Sequence, residues 1–175
     1  AKASAGTRAA LAELLLCVSK RLAAYDILDD VLQALVETVT RELGAERGTL
    51  FLNDPDTGEL YSRVTQGGLR REIRFLNSTG VAGHVFQTGQ PALVKDAYED
   101  SRFNSTIDEQ TGYRTRNIAC VPIRTVKGEV IGVAQALNKK RGRFTKRDLA
   151  LLEGITSQGA VALESTQFVE RMKAL

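Results

Sequence analysis

The spacing of the apolar residues changes character along this 175-residue chain, and the change limits what the chain can fold into. Before Gly44, apolar residues recur every three or four positions, which predicts a helix over Leu11–Leu22 and a second helix that starts after Asp26 as its N-cap. After Gly44 they fall in short runs bounded by turn residues, which predicts strands. From Lys146 to about Met172 the helical spacing returns, so helices are expected at both ends of a strand-rich region.

Six strands and one short helix are predicted between these terminal helices. The strands cover residues 49–52, 59–65, 72–76, 91–95, 118–123 and 130–137, and the short helix covers 81–88. Because strands joined by short turns pair antiparallel, the fold class is α+β. Residues 96–116 show no strong period, and a loop of this length in a compact domain is usually functional.

The composition argues against several kinds of function. The 24 Lys and Arg residues nearly balance the 21 Asp and Glu residues, and 43% of the chain is hydrophobic, enough for one core. Cys17, Cys120 and the single His84 cannot supply a zinc site, and no apolar run is long enough to span a membrane. We therefore expect a cytoplasmic protein with no metal, no cofactor and no membrane contact.

The stretch NKKRGRFTKRD, residues 138–148, has six basic side chains among its eleven residues. One interpretation is a nucleic-acid patch formed by residues 139–147, for which binding would weaken steeply with salt. The other is structural, because Thr145 and Asp148 match a capping box, which typically contributes about 1 kcal/mol to a helix. Lys139 is placed to reach Asp148, and Phe144 precedes the cap.

The spacing of Asn138, Lys139, Phe144 and Asp148 also resembles the N-K-x(n)-F-x3-D-E signature of GAF domains that bind cyclic nucleotides, as in phosphodiesterases and bacterial adenylyl cyclases. The final Glu is replaced by Leu149. The resemblance covers roughly residues 27–165. Its other motifs are Gly83-His-Val, Asp96-Ala-Tyr, Ser101-Arg-Phe-Asn, Thr111-Gly-Tyr-Arg-Thr-Arg-Asn, Val121-Pro-Ile and Val130-Ile-Gly-Val.

This resemblance implies a six-stranded antiparallel sheet with the N- and C-terminal helices packed on one face and the ligand pocket on the other, roofed by the long loop. It implies three parts: an N-terminal connecting or dimerisation helix over residues 1–26, the GAF domain over 27–165, and the end of a signalling helix over 166–175. Since the chain begins at Ala1 without a methionine, we expect a fragment of a larger signalling protein, assembled as a homodimer through its terminal helices.

The resemblance also implies roles for individual residues. The positions expected to contact ligand are Thr49, Thr65 and Gln66 at the purine, Val81 and Ala82 at the cyclic phosphate, Asn104, Asp108 and Thr111 in the roof, and Gln135 on the pocket floor. Asn138, Lys139, Phe144 and Asp148 are expected to support the pocket from outside, as a clasp between the last strand and the last helix.

The function implied is a regulatory sensor that binds a cyclic nucleotide and relays its occupancy to an output domain. Cyclic AMP is slightly favoured over cyclic GMP, because Gln66 stands where one cyclic-GMP-binding relative has a guanine-recognising Asp. Catalysis is not expected, since Cys17 and Cys120 fall in separate elements and no nucleophile lies beside a base. No nucleic-acid partner is expected. The alternatives are a GAF dimerisation or signalling module that binds another small ligand or none, and nucleic-acid binding through residues 139–147.

Overall fold

The computed structural model describes residues 8–10, 12–13, 16, 29–66 and 69–174, without the side chains of 63–66, 69–71, 166–167, 169–171 and 173–174. Helix α1 is described over 29–42 and ends at Gly44, whose left-handed φ of 59° suits a helix C-terminus. Residues 8–10, 12–13 and 16 are helical, and of these 12–13 and 16 fall within the first helix predicted over Leu11–Leu22. The rest of that helix, and the N-cap predicted at Asp26, lie outside the described residues.

After α1, the described chain forms one six-stranded sheet, two short helices and a long C-terminal helix. The elements are β1 (Ala45–Asp54), β2 (Glu59–Gln66), β3 (Leu69–Leu76), α2 (Gly80–Thr88), β4 (Ala92–Val94), α3 (Thr106–Thr111), β5 (Ile118–Arg124), β6 (Val130–Lys139) and α4 (Lys146–Ala174). The strand order is β3-β2-β1-β6-β5-β4 and every pairing is antiparallel. The predicted fold class is confirmed, and β3 begins three residues earlier than its alternation indicated.

The segment 96–116, predicted to be an irregular loop, is partly helical. Asp96 accepts a hydrogen bond from the Tyr98 N–H and starts a 3-10 turn over Ala97–Glu99. Asn104 accepts one from the Thr106 N–H at the start of α3, and Gly112, with a φ of 72°, ends that helix. A six-residue helix is too short to show a hydrophobic period, so these local polar bonds determine its limits instead.

Alternation along the strands divides the core into two layers. On one face, α1 and α4 bury side chains against the sheet, including Leu32, Val39, Leu152 and Leu163. On the other face, α2 packs against a second cluster that includes Phe51, Leu60, Val85 and Val133. Each such side chain contributes about 1.5–3 kcal/mol when it is fully buried. Both terminal helices therefore lie on one face, as predicted, which leaves the other face for α2 and the 96–116 segment.

The pairing of β1 is complete on one side and partial on the other. β1 pairs with β6 from Ala45 to Leu52, but its described pairing with β2 is limited to Leu52–Asp54 against Glu59–Tyr61. β2 continues to Gln66 paired only with β3. The N-terminal half of β1 is thus open on its β2 side.

Within the described residues, no helix combines the length and apolar character needed to cross a membrane.

Candidate ligand-binding site

A cavity of about 500 Å³ lies between the sheet, the N-terminal end of α2 and the roof segment 103–115. Its size falls within the range of small-molecule sites. Seven of the nine predicted ligand contacts line it: Thr49, Val81, Ala82, Asn104, Asp108, Thr111 and Gln135. The other two, Thr65 and Gln66, end strand β2, and their side chains lie outside the described part of the chain. Contact with a ligand stays a prediction for all nine residues.

The floor of the cavity pairs two polar side chains with an apolar wall. Thr49 on β1 and Gln135 on β6 are directly opposed, so their side chains lie on the same face of the sheet. Within the described chain, neither side chain has a hydrogen-bond partner. Phe51 and Phe75 pack edge to face beside them, with ring centroids 5.0 Å apart. The floor can therefore accept a flat, partly polar ring system.

Cys120, the neighbour of Gln135 on β5, is completely buried. Burial raises the pKa of its thiol, so the thiolate that a nucleophile needs is strongly disfavoured. The described residues also contain no cluster of side chains suited to a metal ion.

The N-terminal end of α2 presents unpaired backbone donors to the cavity. The first N–H of this helix to bond back is that of Gly83, to the Thr79 carbonyl, so the N–H groups of Gly80, Val81 and Ala82 have no acceptor within the helix. Thr79 makes no side-chain cap, and the first turn carries no acidic residue. Free donors and the positive end of the helix dipole favour an anion here.

The roof segment is held in shape by its own polar residues. The buried Asp108 carboxylate accepts hydrogen bonds from the Tyr98 hydroxyl at 2.8 Å, the Thr115 N–H at 2.7 Å and the Thr115 hydroxyl at 2.8 Å. The Thr111 hydroxyl donates to the Ile107 carbonyl at 2.8 Å. These bonds show that Asp108 and Thr111 shape the roof, a role that the sequence did not assign to them.

Asn138 joins the end of the roof to strand β6. Its side chain is fully buried, and its φ of 58° places it in the left-handed region. The amide oxygen accepts from the backbone N–H groups of Arg116 and Asn117, and the amide nitrogen donates to Glu46, to the Tyr113 hydroxyl and to the Arg114 carbonyl. The sequence placed Asn138 in a strand-to-helix clasp, whereas the structure shows it fixing residues 113–117.

Glu46 and Tyr113 complete this network at the rim of the cavity, and the sequence analysis assigned a role to neither. The Tyr113 hydroxyl donates to Glu46 at 2.9 Å, and Arg116 donates to Glu46 at 3.0 Å. Hydrogen bonds hold the pKa of Glu46 below its usual value; the bond from Tyr113 has the largest effect, followed by those from Arg116 and Asn138. Burial and the Glu46 carboxylate raise the pKa of Tyr113 to about 12. Arg47 stacks 3.9 Å from the centre of the Tyr113 ring.

Lys139 connects three elements behind the pocket. Its Nζ lies 3.0 Å from Asp148 Oδ1 at the start of α4 and 2.6 Å from the Leu43 carbonyl just after α1. The Thr145 N–H donates to Asp148 at 2.9 Å, and the Asp148 N–H donates to the Thr145 hydroxyl at 3.3 Å. The capping box and the Lys139–Asp148 contact are both present, and Phe144 is buried beside them.

Partial burial raises the pKa of Asp148, but the hydrogen bonds from the Thr145 N–H and Lys139 outweigh this effect and leave that pKa below its usual value. The remaining basic side chains of this stretch are exposed: Lys140, Arg141, Arg143, Lys146 and Arg147.

Comparisons with known proteins bear on the family and the fold of this chain. A family model described as the GAF domain matches residues 28–163. The chain is 34% identical over 158 residues to a probable 3′,5′-cyclic phosphodiesterase of Caenorhabditis elegans, pde-5, covering 83% of this chain and 22% of that protein. It is 36% identical over 154 residues to the dual 3′,5′-cyclic-AMP and -GMP phosphodiesterase 11 of Drosophila melanogaster, covering 78% of this chain and 11% of that protein.

Among solved structures, the GAF domain of a phosphoenolpyruvate-protein phosphotransferase from Coxiella burnetii superposes with a TM-score of 0.66 at 19% identity, covering 89% of this chain and 99% of that one. At this identity the likeness supports the fold alone. The chain spans about a fifth or less of the length of the two phosphodiesterases.

Proposed function

The chain belongs to the GAF domain family, and from that premise we propose that it is a regulatory sensor domain whose cavity binds a cyclic nucleotide. The carrying observation is the N-terminal end of α2, where the unpaired N–H groups of Val81 and Ala82 face a cavity roofed by residues 103–115. A cyclic phosphate has one negative charge, which suits a site of backbone donors without a basic side chain. The two relatives named as cyclic phosphodiesterases support the same ligand class.

The purine lies over the floor in this proposal. Thr49 and Gln135 supply unpartnered polar groups there, and Phe51 and Phe75 supply apolar contact. The Gln135 amide both donates and accepts, so it can satisfy either purine. We favour cyclic AMP slightly, because Gln66 rather than a carboxylate ends strand β2. Thr65 and Gln66 complete the purine site, and Asn104, Asp108 and Thr111 hold the roof over it.

The output of this sensor lies outside the matched region, and the domain itself is not the enzyme. Occupancy is relayed through the terminal helices, with residues 1–26 and 166–175 as the connecting segments. Val161, Phe168 and Met172 on α4 are 58%, 62% and 59% exposed and are spaced by seven and four residues. That spacing forms one apolar stripe, which a second copy of α4 would cover in a cytoplasmic homodimer.

Thermal unfolding with cyclic AMP and cyclic GMP in parallel tests the ligand. A ligand at a hundred times its Kd adds about 2.7 kcal/mol of stability, so a clear rise in Tm is expected, larger with cyclic AMP at equal concentration. Linear 5′-AMP has the same base without the cyclic phosphate and serves as the ligand control. If neither cyclic nucleotide raises Tm at millimolar concentration, the chain is a GAF module for another ligand or for none.

A pair of variants localises the binding. Gln135→Leu removes the floor amide at similar size, so it should lower the affinity while leaving the free protein folded. Gln158→Leu makes the same change at an exposed position of α4 and should bind as the wild type does. Equal affinities for the two variants, measured by calorimetry, would remove Gln135 from the site.

A further inference from the structure

Two residues of α1 line the ligand cavity, although α1 lies on the opposite face of the sheet. Val36 and Thr40 border the same cavity as Thr49 and Val81. Val36 also packs against the core that α1 shares with α4. The cavity therefore reaches through the plane of the sheet.

The partial β1–β2 pairing explains how this happens. Leu52 pairs with Tyr61, so continuing the same register would bring residues 47–51 against 62–66. In the described strands that part of the ladder is missing, since β2 there pairs only with β3. The opening that results lies beside the N-terminal half of β1, which Val36 and Thr40 flank on the other side.

Gly48 brings α1 and β1 unusually close at this opening. A Cβ placed on Gly48 would lie 2.6 Å from the Thr40 hydroxyl oxygen and 3.1 Å from the Val36 carbonyl, so any larger residue would force Thr40 to move. The Thr40 hydroxyl donates to the Val36 carbonyl at 2.6 Å, which leaves its oxygen able to accept. An apolar side chain and a hydroxyl acceptor of α1 thus meet the cavity together.

We propose that α1 forms a wall of the ligand site, with Val36 and Thr40 in contact with the bound ligand through the opening between β1 and β2. This rests on the proposed nucleotide site and adds its regulation, because occupancy then acts on a terminal helix without passing through the roof. Movement of α1 reaches α4 at Gly159, where an added Cβ would lie 2.7 Å from Leu35. The two terminal helices are therefore in close contact at Leu35, the residue that precedes Val36.

The first test enlarges the wall. Val36→Phe places an aromatic ring in the opening, and we expect a loss of cyclic nucleotide affinity of at least tenfold by calorimetry. Ala34→Phe adds the same ring at an exposed position of α1 and should bind as the wild type does. Circular dichroism and thermal unfolding check that both variants are folded. A folded Val36→Phe with wild-type affinity overturns the proposal.

The second test remains valid if Val36→Phe does not fold. Thr40→Cys is prepared with Cys17→Ser, and the buried Cys120 provides an unreactive background. Saturating cyclic nucleotide should slow alkylation of the new thiol by iodoacetamide at least fivefold. Thr38→Cys, two residues away, should react at the same rate with and without nucleotide. Unchanged alkylation of Thr40→Cys by a protein that binds nucleotide refutes the α1 wall alone, whereas failure of the wild type to bind refutes the proposed function as well.

Discussion

Replacing Asn138 with alanine tests whether its amide holds the roof in place. The substitution removes the amide oxygen that accepts hydrogen bonds from two backbone N–H groups, the buried one of Asn117 and the partly buried one of Arg116. An unsatisfied buried donor costs roughly 1–3 kcal/mol, less where water can enter. Alanine at a φ of 58° adds about 1 kcal/mol of backbone strain. We therefore expect Asn138→Ala to lower the free energy of unfolding by about 3–5 kcal/mol.

Asn138→Gly separates the two contributions. It removes the same amide but accepts a positive φ without strain, so it should be more stable than Asn138→Ala by about 1 kcal/mol. Urea denaturation of the wild type and both variants gives the three free energies from the midpoint and slope. A loss below about 1 kcal/mol for Asn138→Ala would refute the argument that these hydrogen bonds stabilise the fold. Equal stability of the two variants would refute the strain component only.

Two further predictions concern the clasp and the sheet. Asp148→Asn should cost about 2 kcal/mol near neutral pH by weakening the bonds to Lys139 and Thr145. Because the pKa of Asp148 is lowered in the folded state, this difference in unfolding free energy should persist above the unfolded pKa near 3.8 and shrink as the pH falls through the folded pKa. Urea denaturation of both proteins from pH 7 to pH 3 measures the difference. A difference that stays constant over this range would contradict the prediction. Gly132→Ala would place a Cβ 2.2 Å from the Phe51 carbonyl oxygen and should cost about 2–3 kcal/mol. Gly154→Ala, with nothing within 4 Å in α4, should raise Tm instead, and a similar loss in both variants would argue against the clash.

The sequence predicted the elements best where a pattern repeats over many residues. The apolar runs of β5 and β6 and the helical spacing in α4 correspond to strands and a helix with nearly the predicted limits. The predicted family is confirmed by the match over residues 28–163. The capping box was also visible, because Thr145 and Asp148 are three residues apart and contact each other through local hydrogen bonds.

The sequence did not reveal features that depend on distant residues meeting. Tyr113 reaches Glu46 across 67 positions, and Lys139 reaches the Leu43 carbonyl across 96. Neither contact leaves a periodic or local pattern in the chain. The opening beside β1 was hidden for a related reason, because alternation shows that a residue is in a strand but not how far two strands remain paired. Residues 36 and 40 therefore looked like ordinary members of a helix.

Helix α1 is contacted at two different points, by Lys139 at Leu43 and, in our proposal, by the ligand at Val36. Lys139 holds the Leu43 carbonyl at the C-terminal end of the helix and Asp148 at the start of α4, so this end is fixed to the sheet. Val36 lies seven residues before Leu43, which is about 10 Å along a helix. In our proposal, a ligand that contacts Val36 displaces α1 while the C-terminal end of the helix stays fixed to the sheet. The displacement of α1 therefore increases toward its N-terminal end. Asp148→Asn should weaken that restraint without touching the cavity, so it is expected to alter the transmission of binding more than the binding itself.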